Sequence, residues 1–190
     1  MKRIIFLLFC FSFFTQCQPN EKPKAFTGDR QFQANDPSRL YFKNIRSIAY
    51  YRTRKPHSKI DIYKFRKLDM TDKRPILYPM ILDNWMDEEA YIFLEKNAYS
   101  KFGDPLTIKA TAQDSTENIL TIDVFNKKNQ YTFAEQVFEA LQSKQDLSVL
   151  TKDSSYIPIF ANYKDKSAFV ITMKDYYRLI DLDRKEKKRS

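Results

Sequence analysis

The chain has 190 residues, 43% of them hydrophobic and 15% aromatic, and its 33 Lys and Arg against 24 Asp and Glu leave a formal charge of +9. Two cysteines and two glycines are too few for a disulfide scaffold or for a glycine-rich loop that cradles a phosphate. Zinc-finger and aromatic RNA-binding spacings are also missing, so nucleic acid is not the expected partner despite the basic charge.

The first segment pairs a charged start, Lys2 and Arg3, with the apolar run Ile4 to Phe14, and turns polar at once in "TQCQPNEKPK". This is the layout of a signal peptide. The run is too short to cross a bilayer, which takes about 20 apolar residues. At its end stands Cys17, while Cys10 lies inside the apolar run. The segment resembles the signal peptide of bacterial lipoproteins, in which cleavage leaves an N-terminal cysteine that carries acyl chains such as palmitate. Phe14, Thr15 and Gln16 stand where such signals usually carry Leu-(Ala/Ser)-(Gly/Ala). The resemblance implies that residues 1–16 are removed, that Cys17 is the lipidated residue, and that the mature chain is held at the membrane of a bacterial cell envelope. In some lipoproteins an Asp after the cysteine retains the protein at the inner membrane; Gln18 here implies the outer membrane.

Residues 17–38 then comprise that cysteine and a tether: Pro19, Pro23, Gly28 and Pro37 interrupt a polar stretch without periodicity. A flexible coil of this length spans roughly 25 Å. What remains, 39–183 with a charged tail at 184–190, is the size of a single domain. Beyond Cys17 it holds no cysteine, so its stability is expected to come from its apolar core.

Charge is unevenly spread. Residues 39–74 hold 12 Lys or Arg against 3 Asp or Glu, and residues 75–146 hold 6 against 12. A basic first third is expected to meet an anionic partner, a protein or an envelope polymer, through Arg46, Arg52, Arg54 and Lys55. The competing expectation is that basic and acidic segments neutralise each other once folded.

In chain order, "LYFKNIRSIAYYRTR" from Leu40 is rich in Tyr, Phe and Ile and predicts a strand. "KPHS" predicts a turn into a second strand, "KIDIYKFRK". Ala90 to Asn97 alternates as a strand with apolar members on both faces. Leu106, Ile108 and Ala110 against Leu120, Ile122 and Val124 predict a hairpin around the polar turn Gln113 to Glu117. Period two then yields to a helical stripe, Phe133, Ala134, Val137, Phe138 and Leu141, opened by the capping-box pair Thr132 and Glu135. A second hairpin, "YIPIFANY" to "SAFVITM" with Pro158 on an edge, and a short helix "KDYYRLIDL" complete the chain. The expected fold is α+β, mainly antiparallel sheet with one clear amphipathic helix and a short C-terminal one.

Chemistry has few candidates. The sole His57 falls in the predicted turn, and no serine sits in a nucleophile elbow. Asp83, Asp87, Glu88 and Glu89 surround Trp85, but without the spacing or glycine of a calcium loop; the expected role is a loop with Trp85 and Met86 over the sheet end. No cofactor or metal is implied. The expectation is a non-enzymatic envelope lipoprotein that binds a partner, a class that includes immunity-type lipoproteins. Its rival is an envelope hydrolase using Asp83, Asp87 or Glu89, which would need a paired-carboxylate cleft.

Overall fold

The computed structural model describes residues 32–68, 74–99 and 101–181. The signal segment, Cys17, the tether as far as residue 31 and the tail at 184–190 lie outside the described residues. The described residues form two antiparallel sheets and three helices, an α+β fold.

The first sheet is a meander of β1 (Tyr50–Lys55), β2 (Ile60–Phe65), β3 (Leu77–Asn84) and β4 (Glu89–Lys96), paired in that order. Alternation drives it: in β2 the side chains of Asp61, Tyr63 and Phe65 are buried while Ile62 and Lys64, on the other face, are half-buried. The β1–β2 turn is the predicted "KPHS". The second sheet runs β6 (Glu117–Ile122), β5 (Leu106–Thr111), β7 (Asp146–Leu150), β8 (Tyr156–Pro158). Its β5–β6 pair is the predicted hairpin, with Leu106 opposite Ile122 and Ile108 opposite Leu120, closed where the Ala112 N–H donates to the Thr116 carbonyl at 2.9 Å. Pro158 ends β8 on the sheet edge, where its missing N–H costs no ladder bond.

Three asparagines start the three helices. Asn35, Asn126 and Asn162 each place the side-chain oxygen 2.8 to 2.9 Å from the backbone N–H three residues on, at Ser38, Asn129 and Asp165. Helix α1 (Asp36–Tyr41) continues through a π-helical turn, Phe42–Arg46, and a tight 3-10 turn, Ser47–Ala49. Helix α2 (Lys127–Gln142) packs on β4 and also on β6 and β7, joining the two sheets, and helix α3 (Tyr163–Leu179) lies on β3 and β4. Gln130 of α2 accepts the Leu94 N–H at 2.9 Å, which satisfies a donor on the edge strand β4.

Four sequence expectations are corrected by this architecture. Leu40 to Ala49 is helical rather than strand, because the Asn35 cap and Pro37 in the first turn begin a helix whose Arg39, Phe42 and Arg46 recur at helical spacing. Helix α2 starts five residues before Thr132, since Asn126 supplies the cap and Thr132 stands exposed within the helix. "SAFVITM" is not the second strand of a hairpin but the middle of α3, where Ala168, Phe169, Thr172, Met173 and Tyr176 are buried at i, i+4 and i+8 spacings. Finally, the fold includes residues before 39: the buried Phe32 ring lies edge-on to Tyr91 and Tyr131, and the Ala34 N–H donates to the Glu88 carbonyl.

Scarce glycine leaves its mark on the turns. Among the described residues seven other than glycine hold positive φ, Lys144 at 58° being one of them. Lys144 follows the end of α2 in a Schellman arrangement, its N–H donating to Leu141 and that of Gln145 to Ala140. Gly103 is the opposite case: a Cβ there would lie 2.9 Å from the Leu150 carbonyl oxygen, which is backbone and cannot swing away. Lys144→Gly is therefore expected to stabilise the fold by about 1 kcal/mol, and Gly103→Ala to destabilise it by about 1 to 3 kcal/mol. Urea denaturation of the two variants beside the wild type measures both signs.

Candidate functional site

The helix-covered face of the first sheet carries charge where a core is expected to be apolar. Asp61 of β2 and Asp83 of β3 are direct partners in the strand register, and both are 0% exposed. On the next strand Arg54 lies opposite Asp61 and Arg52 opposite Tyr63, so both arginines share that face. Arg52 Nη2 donates to Asp61 Oδ2 at 2.6 Å and Arg54 Nε to Oδ1 at 3.0 Å. Asp83 is held from the helix side, by Arg39 Nε at 2.8 Å and Lys43 Nζ at 3.3 Å.

A third buried carboxylate continues the pattern. Asp175 of α3 takes two hydrogen bonds from Arg46, at 2.8 and 2.9 Å, and one from the Tyr50 hydroxyl at 2.7 Å. These bonds raise the Arg46 pKa, and the bond to Asp61 does the same for Arg52. Burial drives the Tyr50 hydroxyl pKa well up, with the Asp175 charge adding to it. Burial also pushes Tyr63 up to about 12. The Tyr63 hydroxyl has no hydrogen-bond partner among the described residues, so desolvation works on it unopposed by such a bond.

The basic residues singled out in the sequence thus occupy three places. Arg52 and Arg54 meet at Asp61, Arg46 sits on Asp175, and Lys55 is exposed on the opposite face of β1 from Arg54. The acidic knot is dispersed too. Asp83 is inside, Asp87 accepts from Asn84 Nδ2 at 2.7 Å on the exposed turn, and Glu89 accepts the Tyr91 hydroxyl with Lys127 Nζ at 3.5 Å. Trp85 and Met86 are exposed rather than laid over the sheet end, with the Lys59 ammonium 5.6 Å above the Trp85 ring. His57 is exposed in its turn. Among the described residues no three His, Cys, Asp or Glu side chains group closely enough to hold a metal ion.

A feature that the sequence reading missed is the orientation of α1 and its continuation. Arg39 and Phe42 are buried and Lys43 and Arg46 half-buried, while Leu40, Tyr41, Ile45 and Ile48 are exposed. The helical segment turns its cations inward beside Phe42 and leaves Leu40, Tyr41, Ile45 and Ile48 outward. The signal was present in the spacing of Tyr41, Ile45 and Ile48 against Arg39, Lys43 and Arg46, but it emerges only once the segment is taken as a helix.

The chain matches no protein-family model, no curated protein and no solved structure.

Removing a carboxylate from this cluster strands a buried cation. Asp83→Ala is expected to cost about 3 kcal/mol in urea denaturation, because the buried Arg39 is left with only the exposed Asp36 at 3.7 Å, and the double variant with Arg39→Met to recover part of that loss. The raised tyrosines set an alkaline limit. A folded pKa near 12 against an ordinary 10.0 for Tyr63 means that the neutral hydroxyl is favoured by folding. Its contribution is complete below pH 10 and is lost as pH climbs through 12, because the unfolded chain releases that proton first. Tyr50 and the buried Tyr176, both raised chiefly by burial, act in the same direction. An alkaline titration should show the loss of far-UV circular dichroism accompanying the ionisation of these buried hydroxyls, followed by tyrosinate absorbance.

Proposed function

We propose that the protein is a lipoprotein of the bacterial cell envelope, anchored through acylated Cys17 at the outer membrane, whose domain binds a partner and performs no catalysis. The observation that carries this reading is the order of the first 21 residues: two cations, an apolar run to Phe14, Cys17, and an abrupt change to polar residues. Two or more acyl chains on one cysteine make a stable anchor where a single chain would be marginal.

The geometry beyond residue 31 supports a binding role over the hydrolase alternative. General acid and base groups must reach a substrate, and Asp83 is enclosed with its charge spent on Arg39 and Lys43. Glu89 is engaged by Tyr91 and Lys127, and Asp87 stands on an exposed turn held by Asn84. A partner, protein or anionic envelope polymer, meets instead the cations that remain solvent-facing around β1, where Arg54 is 59% exposed and Lys55 is exposed.

Cys17→Ser is expected to leave the precursor unprocessed or to move the protein from the membrane to the soluble fraction on cell fractionation. Metabolic labelling with a palmitate analogue should mark the wild type alone. Undiminished labelling of the variant would overturn the anchor.

A further inference from the structure

The inverted helix needs an outside environment that its composition fits. Leu40, Ile45 and Ile48 are 62%, 56% and 76% exposed, with Tyr41 and Tyr51 beside them in the chain, also exposed. Single exposed apolar residues are ordinary, but a row along one short segment marks a contact surface. Cations outnumber acids along this part of the chain, although Asp36, one turn before Leu40 in the same helix, is exposed. Residues 40–67 contain nine Lys and Arg and a single acid, Asp61, which is buried. Arg66 is one of these cations and is exposed, its guanidinium 5.2 Å over the Tyr51 ring. Lys67 is exposed next to it.

An apolar row with tyrosines, carrying one exposed acid, Asp36, at its start and joined at its end by the exposed cations Arg66 and Lys67, where the Arg66 N–H donates to the Ala49 carbonyl, matches an anionic lipid surface: the apolar side chains enter the head-group boundary while the cations meet lipid phosphates. A second copy of the chain fits less well, since joining the same patch on two molecules would bring two cationic rims together. Position agrees as well. Only 15 residue steps separate Cys17 from Phe32, so an anchor at Cys17 keeps the start of the fold within roughly 50 Å of the head groups, where even a weak surface affinity is effective.

We propose that the outward face of Leu40, Tyr41, Ile45 and Ile48, with Tyr51, Arg66 and Lys67, docks the domain on the anionic leaflet to which the chain is anchored. This rests on the lipoprotein reading for the membrane's nearness, while the patch itself binds without an acyl chain. Docking holds the domain in one orientation, with α1 against the lipid.

The test uses the mature chain from residue 17 carrying Cys17→Ser, which removes no described residue and bears no lipid. It should sediment with vesicles of phosphatidylethanolamine and phosphatidylglycerol, much less with phosphatidylcholine alone, and lose binding as salt rises. Ile45→Ser with Ile48→Ser should lower partitioning about tenfold without shifting the melt, because both positions are exposed. Arg66→Glu with Lys67→Glu should lower it several-fold and flatten the salt dependence, roughly as two lost lipid-facing charges require. No vesicle binding, or binding unchanged by the serine pair, overturns the proposal. A dimer dissolved by the serine pair in the absence of vesicle binding overturns it in favour of a second copy. Failed acylation of Cys17 with vesicle binding intact removes only the anchor, and failed vesicle binding with acylation intact removes only the docking face.

Discussion

Asp61 and Asp83 face each other across neighbouring strands with no exposure to water, and much of the molecule follows from that one juxtaposition. Two desolvated carboxylates at partner positions repel each other and each lacks water, so the surroundings must supply positive charge. Strand β1 supplies Arg52 and Arg54 from one side, and α1 with the π-helical turn that continues it supplies Arg39 and Lys43 from the other. The requirement fixes which way α1 turns. With its cations committed inward, the apolar Leu40, Tyr41, Ile45 and Ile48 face solvent beside Asp36, Pro37 and Asn44. Buried ion pairs contribute little net stability compared with apolar packing; what this cluster contributes is the rotation of one helix about its axis.

The basic composition accordingly misrepresents the surface. Five of the cations in residues 39–74 are bound to Asp61, Asp83 and Asp175. Two of these carboxylates lie outside the basic third, on β3 and α3, so the sign reversal along the chain is partly resolved by folding. Of the cations that remain exposed, Arg66 lies beside the end of the helical segment that carries the apolar row, with Lys67 next to it in the chain, while Lys55 stands at the far end of β1.

The clamp on α1 extends to its start. Phe32 is packed between Tyr91 of β4 and Tyr131 of α2, and Asn35 Nδ2 donates to Asp181 just past the end of α3 at 3.1 Å. The chain therefore leaves the fold toward Cys17 from a fixed point beside the helix that presents the apolar row. Aromatic packing completes the hold, with Phe42 edge-on to Tyr63 at 5.0 Å and beside Tyr50. The first described residues and the exposed apolar row are thus held by the same set of contacts.

The sequence by itself determined the α+β class, the β1–β2 turn, the strand at residues 90–96, the β5–β6 hairpin and the body of α2, because in those segments apolar spacing and turn residues agree with the final packing. Leu106, Ile108, Leu120 and Ile122 are buried at every second position, while Thr107 and Lys109 between the first pair and Ile119 and Thr121 beside the second lie on the other face. Tertiary structure decided α1 and α3. "LYFKNIRSIA" and "SAFVITM" are rich in aromatic and β-branched residues that suit a strand, yet asparagine caps begin helices there and burial rewards the i, i+4 face over local propensity. It also decided the fate of the charges. Which Arg meets which Asp depends on partners 7 to 129 residues apart, and no local pattern of charge contains that pairing. The outward apolar row is its consequence: only after Arg39, Lys43 and Arg46 are drawn to buried carboxylates do Leu40, Ile45 and Ile48 have nowhere to point but out.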